Sequence, residues 1–169
     1  MDPTVALALI RMAAADRTLP LWGRPSDAAL VRLGLDALLA GVDVFSLPLL
    51  AGLAHGEYGE ARELFDQVVA ELDLLPQTPE ELAEARWTAA RWWARRIVTH
   101  ELDPLEGARL ICWEVAAELG YPAELKPLVT LVEAADRPDD DRPPPEPDPD
   151  GIIRAARALL APEPREPLG

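Results

Sequence analysis

The chain has 169 residues, with thirty Asp and Glu against sixteen Lys and Arg, for a formal net charge of −14. That length fits one domain with a real core, and an apolar share of 49% excludes compositional disorder. So acidic a surface repels a phosphate backbone, which argues against nucleic acid as a partner; it suits plain solubility or a basic protein partner. Lys126 is the single lysine beside fifteen Arg, and Asn is absent, a bias expected of a GC-rich bacterial coding sequence. Cys112 is the only cysteine, so no internal disulfide forms.

The opening MDPTVALALIRMAAADR carries an acid at position 2 and is interrupted by Arg11. It does not read as a signal peptide, and no run reaches the roughly twenty apolar residues of a membrane span. The expectation is a soluble cytoplasmic protein without a membrane partner. Asp2-Pro3 caps a first helix that ends near Asp16. Arg17–Pro25 is a loop. Ser26 is an N-cap for a second helix with apolar positions Leu30, Leu33, Leu38 and Leu39, ended by Gly41. Ser46, also read as an N-cap, and Pro48 open a third helix closing at His55-Gly56, and a fourth runs from about Glu57 to Asp73. Thr78-Pro79-Glu80-Glu81 is a capping box that starts a long helix, and Asp103-Pro104-Leu105-Glu106 repeats the device. Gly120 stops that helix. Tyr121–Ala135 forms another, with a break expected at Pro127.

The stretch RPDDDRPPPEPDP at 137–149 holds no apolar residue and reads as an extended acidic linker. GIIRAARALL follows with helical spacing. No alternating apolar run flanked by hairpin turns occurs. The sequence therefore predicts an all-α, single-domain bundle of seven or eight helices. Its parts are a helical body at 1–136, a Pro/Asp-rich linker at 137–149, a C-terminal helix at 150–161 docked on the body, and a frayed tail at 162–169. AHGEYGEARELF and DPLEGARLI echo tetratricopeptide helices, but their spacing misses the period of about 34 that such repeats need.

RWTAARWWARRIV, residues 86–98, concentrates three Trp and four Arg in an otherwise acidic chain. On a helical wheel Trp87, Ala90, Ala94, Ile97 and Val98 share one face, and Trp93 sits at its edge. Trp92 falls among the polar residues Arg91, Arg95 and Arg96. Such a Trp either packs under a neighbouring segment, for which the C-terminal helix is a candidate, or anchors a partner together with Arg95 and Arg96. Residues 57–84 hold nine acids and one base, Arg62. Glu60, Glu63 and Asp66 are spaced to share one face, either as a solvated surface or as a steering surface for a basic partner.

Catalytic and metal-binding signatures are missing. His55 and His100 read as helix-end residues, neither in a zinc-binding context. Ser26 and Ser46 read as caps, and Cys112 as a buried inert thiol. No cofactor and no metal is expected, and the chain is read as non-enzymatic.

DPLEGARLICWEVAAELGYPAELKPLVTLVEAADRP resembles the C-terminal half of a group of small, acidic, uncharacterised all-α proteins, mostly actinobacterial. The matching residues are Gly107, Ala108, Arg109, Ile111, Trp113, Leu119, Gly120, Pro122, Leu125, Pro127, Leu128, Val129 and Leu131. Ala134-Ala135 stand where the group carries an acidic Trp motif. The resemblance implies no specific activity. Immunity proteins and adaptors are the analogy.

The leading expectation is a protein-interaction module, an immunity-type inhibitor or adaptor binding a basic protein. Trp92, Arg95 and Arg96 would supply its anchor, and Glu60, Glu63 and Asp66 its steering. One alternative is a small-molecule binder or enzyme with a pocket between the 79–100 and 104–119 helices, lined by Trp93, Trp113 and His100. Another is a structural subunit of an assembly.

Overall fold

A computed structural model describes residues 1–18, 24–75, 77–136 and 148–161, with backbone alone at 55, 56 and 58. Among the described residues the fold is all-α, with eight α-helices and no strand. Packing divides the chain into two compact units, Met1–Thr88 and Ala89–Gly169, and the division falls inside the fifth helix.

In the first unit, α1 spans Pro3–Asp16, α2 Asp27–Leu39, α3 Ser46–Ala51 and α4 Ala61–Glu71. The Asp2 carboxylate accepts the Val5 N–H at 3.0 Å, and the Ser26 hydroxyl accepts that of Ala29 at 3.2 Å. Each relieves an orphan donor of a helix start. α2 packs against α1, α3 and α4, and Ile10, Leu30, Leu47, Leu50, Phe65 and Val68 fill the core. α3 approaches α2 where Gly34 has no side chain; a Cβ there would lie 2.9 Å from the Leu50 side chain.

Three expectations change here. The third helix ends at Ala51, and a 3₁₀ turn, His55–Glu60, precedes α4. Ser46 is not a cap: Phe45 holds that position without a side-chain bond. Ser46 instead turns inward, 1% exposed, and its hydroxyl donates to Glu71 at 2.6 Å. Leu39 is not core but 78% exposed, because the buried arc of α2 runs through Leu30, Val31, Gly34 and Ala37.

The fifth helix, α5, spans Pro79–Val98. Its capping box is reciprocal: the Thr78 N–H donates to Glu81 at 2.8 Å, and the Glu81 N–H donates to the Thr78 hydroxyl at 3.2 Å. The buried positions are Ala85, Arg86, Ala89, Ala90, Trp93, Ala94 and Ile97. This stripe is rotated from the expected one. Trp93 is core rather than edge, whereas Trp87 and Val98 are only partly buried. Arg86 lies at the centre of this stripe by its spacing to Ala90, Trp93 and Ile97, and it is 2% exposed.

In the second unit, α6 spans Pro104–Ile111, α7 Lys126–Asp136 and α8 Pro149–Leu160, and these three pack on one another. The Asp103 carboxylate accepts the Leu105 and Glu106 N–H groups at 3.0 and 3.1 Å. Asp148 caps α8 through Gly151 at 2.8 Å. Ile152 and Ala156 of α8 are buried. Gly107 lets α6 cross the end of α5, since a Cβ there would fall 2.5 Å from the Ile97 side chain.

The helix expected to run from 104 to Leu119 stays α-helical only to Ile111. A π turn follows at Cys112–Ala116, in which the Ala117 N–H reaches back to the Cys112 carbonyl at 3.0 Å. The next helix starts at Lys126 after a 3₁₀ turn, Ala123–Leu125. Pro127 therefore sits in a first turn, where its missing N–H breaks no helical bond. Residues 19–23 of the first loop, 137–147 of the Pro-rich linker and 162–169 of the tail lie outside the described residues.

Candidate partner-binding surfaces

The acidic trio divides. Glu63 and Asp66 lie on α4, and Glu60 holds its N-cap position without a side-chain bond. All three are exposed. Asp66, however, is ion-paired to Arg17, which also donates to the Arg62 carbonyl at 3.2 Å and lies 5.8 Å from the centre of the Phe65 ring. Arg62, the only base of the 57–84 segment, pairs with Asp27 at 2.7 Å.

This commitment of Arg is general in the first unit. Arg11 pairs with Glu81 at 3.7 Å, Arg32 with Asp36 at 3.2 Å and Arg86 with Asp16 at 2.7 Å. Residues 1–88 contain fourteen acids and six Arg, so these internal pairs leave an excess of carboxylates facing outward. Glu71 is held by the Ser46 hydroxyl and by the Ser46 N–H at 3.0 Å. Those bonds keep its carboxyl below the ordinary carboxylate pKa, because they favour the charged form.

The Trp–Arg stretch has a mostly internal explanation. Trp93 is core and Arg86 is one half of a buried ion pair. Trp92 is half-buried, with its ring 6.2 Å from that of Trp93 and the Arg96 guanidinium 5.1 Å from its centre. That is cation–π distance. Arg96 also reaches Glu101 at 3.8 Å. Arg95 is exposed. Trp92, Arg95 and Arg96 thus lie together on one helix of the second unit, whereas Glu60, Glu63 and Asp66 belong to the first.

Trp93, Trp113 and His100 do not present one lining. Trp93 is buried at 7% exposure, and Trp113, carried outward on the π turn, is 60% exposed. His100 adopts φ 59° and is exposed. It ends α5 in the left-handed geometry of a helix terminus, with the Glu101 N–H returning to the Arg96 carbonyl at 2.9 Å. A groove of about 250 Å³ occurs elsewhere, between α1 and the first half of α5, lined by Thr4, Leu7, Arg11, Glu81, Glu84 and Thr88 among others. That is below the ~300–1,000 Å³ of typical ligand pockets.

Composition gave no sign of a third feature, exposed apolar side chains. Leu35 and Leu39 on α2 and Phe45 and Leu49 at α3 are all exposed, Phe45 by 82%. With Ser46 read as the N-cap, nothing in the sequence marked Phe45, which the structure places at the N-cap itself.

Among the described residues no cluster of His, Cys, Asp and Glu is arranged to hold a metal ion, and no helix is long and apolar enough to cross a membrane. Cys112 is buried, and burial pushes its thiol pKa up, helped by the Glu133 and Asp136 carboxylates; a thiolate nucleophile is disfavoured there. Compared with known proteins, the chain matches no family model, no curated protein and no solved structure.

Proposed function

We propose that this chain is a non-enzymatic interaction module whose acidic surface receives a basic protein partner, in its most specific form an immunity-type inhibitor or adaptor. The observation that carries the reading is the disposition of charge in the first unit. Arg11, Arg17, Arg32, Arg62 and Arg86 are each bound to a carboxylate of the same unit, so the outward field is set by the remaining acids. Such a field raises encounter rates with a cationic partner and repels anionic ones. Glu60 and Glu63 are exposed members of it on one short stretch; Asp66 is partly withdrawn by Arg17.

The test is affinity capture from a lysate of the source organism. Wild type is compared with Glu60→Lys/Glu63→Lys and with Trp92→Ala, each verified as folded by circular dichroism. A basic protein held by wild type at low salt, released as salt rises and lost with the charge-reversed bait is the expected result. Loss with Trp92→Ala as well would assign the anchor to α5. Recovery of the same partners by wild type and the charge-reversed bait refutes the electrostatic reading.

A further inference from the structure

We infer that Leu35 and Leu39 of α2, together with Phe45 and Leu49 at α3, form the seat for an amphipathic helix with basic flanks. The inference rests on the proposal of a basic partner and adds where that partner's apolar side chains go. Leu35 and Leu39 are one turn apart on α2, and Phe45 and Leu49 are one turn apart at α3. These two helices pack directly on each other, and only the short connection from Ala40 to Phe45 separates them. All four side chains are exposed, Leu39 and Phe45 by about four-fifths.

The fold does not explain their placement. Phe45 takes an N-cap position without a side-chain bond, and the Ser46 N–H at this helix start is taken instead by Glu71 at 3.0 Å, so capping does not account for a bulky apolar side chain in water there. The adjacent Ser46 has its hydroxyl turned inward onto Glu71. Large apolar side chains left in water on neighbouring turns are costly to solubility, and such exposure marks a binding surface when the side chains lie together.

Charge selects the occupant. From Arg32 to Asp73 the chain carries eight acids and two bases, and both bases are paired, Arg32 with Asp36 and Arg62 with Asp27. A second copy of this chain would bring two acidic surfaces together, which like-charge repulsion opposes. A helix with apolar anchors at i, i+3, i+4 and i+7 and Lys or Arg on its flanks answers both the apolar seat and its acidic surroundings.

The experiment uses the full chain and three labelled peptides of about eighteen residues, roughly five helical turns. One is a Leu/Lys peptide with Leu at helical spacing, one has the same composition in scrambled order, and one is the Leu/Glu counterpart. Fluorescence anisotropy is read against wild type, Leu39→Ser/Phe45→Ser and Glu60→Lys/Glu63→Lys. Because Leu39 and Phe45 are exposed, the double variant folds, and circular dichroism checks this. The ordered Leu/Lys peptide is expected to bind wild type more tightly than the scrambled one. The Leu/Glu peptide should not bind, and the Leu39→Ser/Phe45→Ser variant should lose about tenfold or more, as removal of central anchors does. If both Lys peptides bind equally and lose affinity only with Glu60→Lys/Glu63→Lys, the seat is refuted while the acidic surface stands. If neither Lys peptide binds wild type, the basic-partner reading falls and the seat with it. If wild type sediments as a dimer that Leu39→Ser/Phe45→Ser dissociates, the occupant is a second copy and the inference is overturned.

Discussion

Replacing Asp16 by Ala probes the most buried of the described ion pairs of the first unit. Arg86 reaches Asp16 at 2.7 Å, with side-chain exposures of 3% and 11%, and the two residues are seventy apart in the chain. Asp16→Ala removes the carboxylate 2.7 Å from a buried guanidinium, and breaking a buried pair by removing one partner costs about 3–5 kcal/mol. Against a typical domain stability of about 5–15 kcal/mol, that is a large fraction, and the thermal midpoint should fall by roughly 10 °C. Asp16→Leu/Arg86→Met removes both charges and should return to within about 1–2 kcal/mol of wild type or exceed it. This keeps the cycle readable even where the single variant is largely unfolded. Urea unfolding followed by circular dichroism gives the midpoints. The comparison is Arg62→Ala, which breaks the more exposed Arg62–Asp27 pair, 56% and 30% exposed, and should cost under about 1 kcal/mol. Added salt should weaken the Arg62 contribution and leave that of Asp16–Arg86 nearly unchanged. If Asp16→Ala costs no more than Arg62→Ala, Arg86 is solvated in the folded chain and the argument for its burial is wrong.

Two further outcomes follow from local geometry. The folded pKa of Glu71 is lowered by its bonds from Ser46. Its contribution is therefore fully present above the unfolded carboxylate pKa of about 4.3 and is lost as pH falls through the lower folded value. Urea midpoints of wild type and Glu71→Gln should differ by a constant amount from pH 6 to pH 8 and converge below about pH 4; a gap that persists in acid would refute the assignment. Gly107→Ala would place a Cβ 2.5 and 2.7 Å from Ile97 side-chain atoms, overpacking that should cost about 1–3 kcal/mol. Ile97→Val in the same background, by removing Cδ1, should recover part of it in a double-mutant cycle. Additive costs would mean that α6 shifts freely away from α5.

Local rules made most of the helices legible. Asp2, Ser26, Thr78 and Asp103 sit at helix starts and bond the first-turn N–H groups, a signal contained within four residues; Asp148, read as linker, does the same for α8. The failures share a different cause. Ser46 looked like the same signal, but a carboxylate twenty-five residues away competes for its hydroxyl. The α5 stripe was misplaced because Arg86 becomes core material only once Asp16, on another helix, neutralises it. The π turn at Cys112–Ala116 adds a residue to one turn without Pro or Gly to announce it, and it carries Trp113 outward. Leu39 and Phe45 look like core residues by type. Only the packing of α2 on α3 decides which turns of those helices remain uncovered.

The same dependence on distant pairing reshapes the candidate surface. Glu60, Glu63 and Asp66 are equivalent by spacing, yet Arg17 reaches Asp66 across forty-nine residues while also bonding the Arg62 carbonyl and lying over Phe65. A basic partner seeking Asp66 must displace a cation held by three contacts, so it gains little there. Glu60 and Glu63 impose no such exchange. Asp66 thus belongs chiefly to the ties that hold α4 to the end of α1. Glu60 and Glu63 belong to the surface, and under the proposed function they, rather than Asp66, are the carboxylates that would steer an approaching cation.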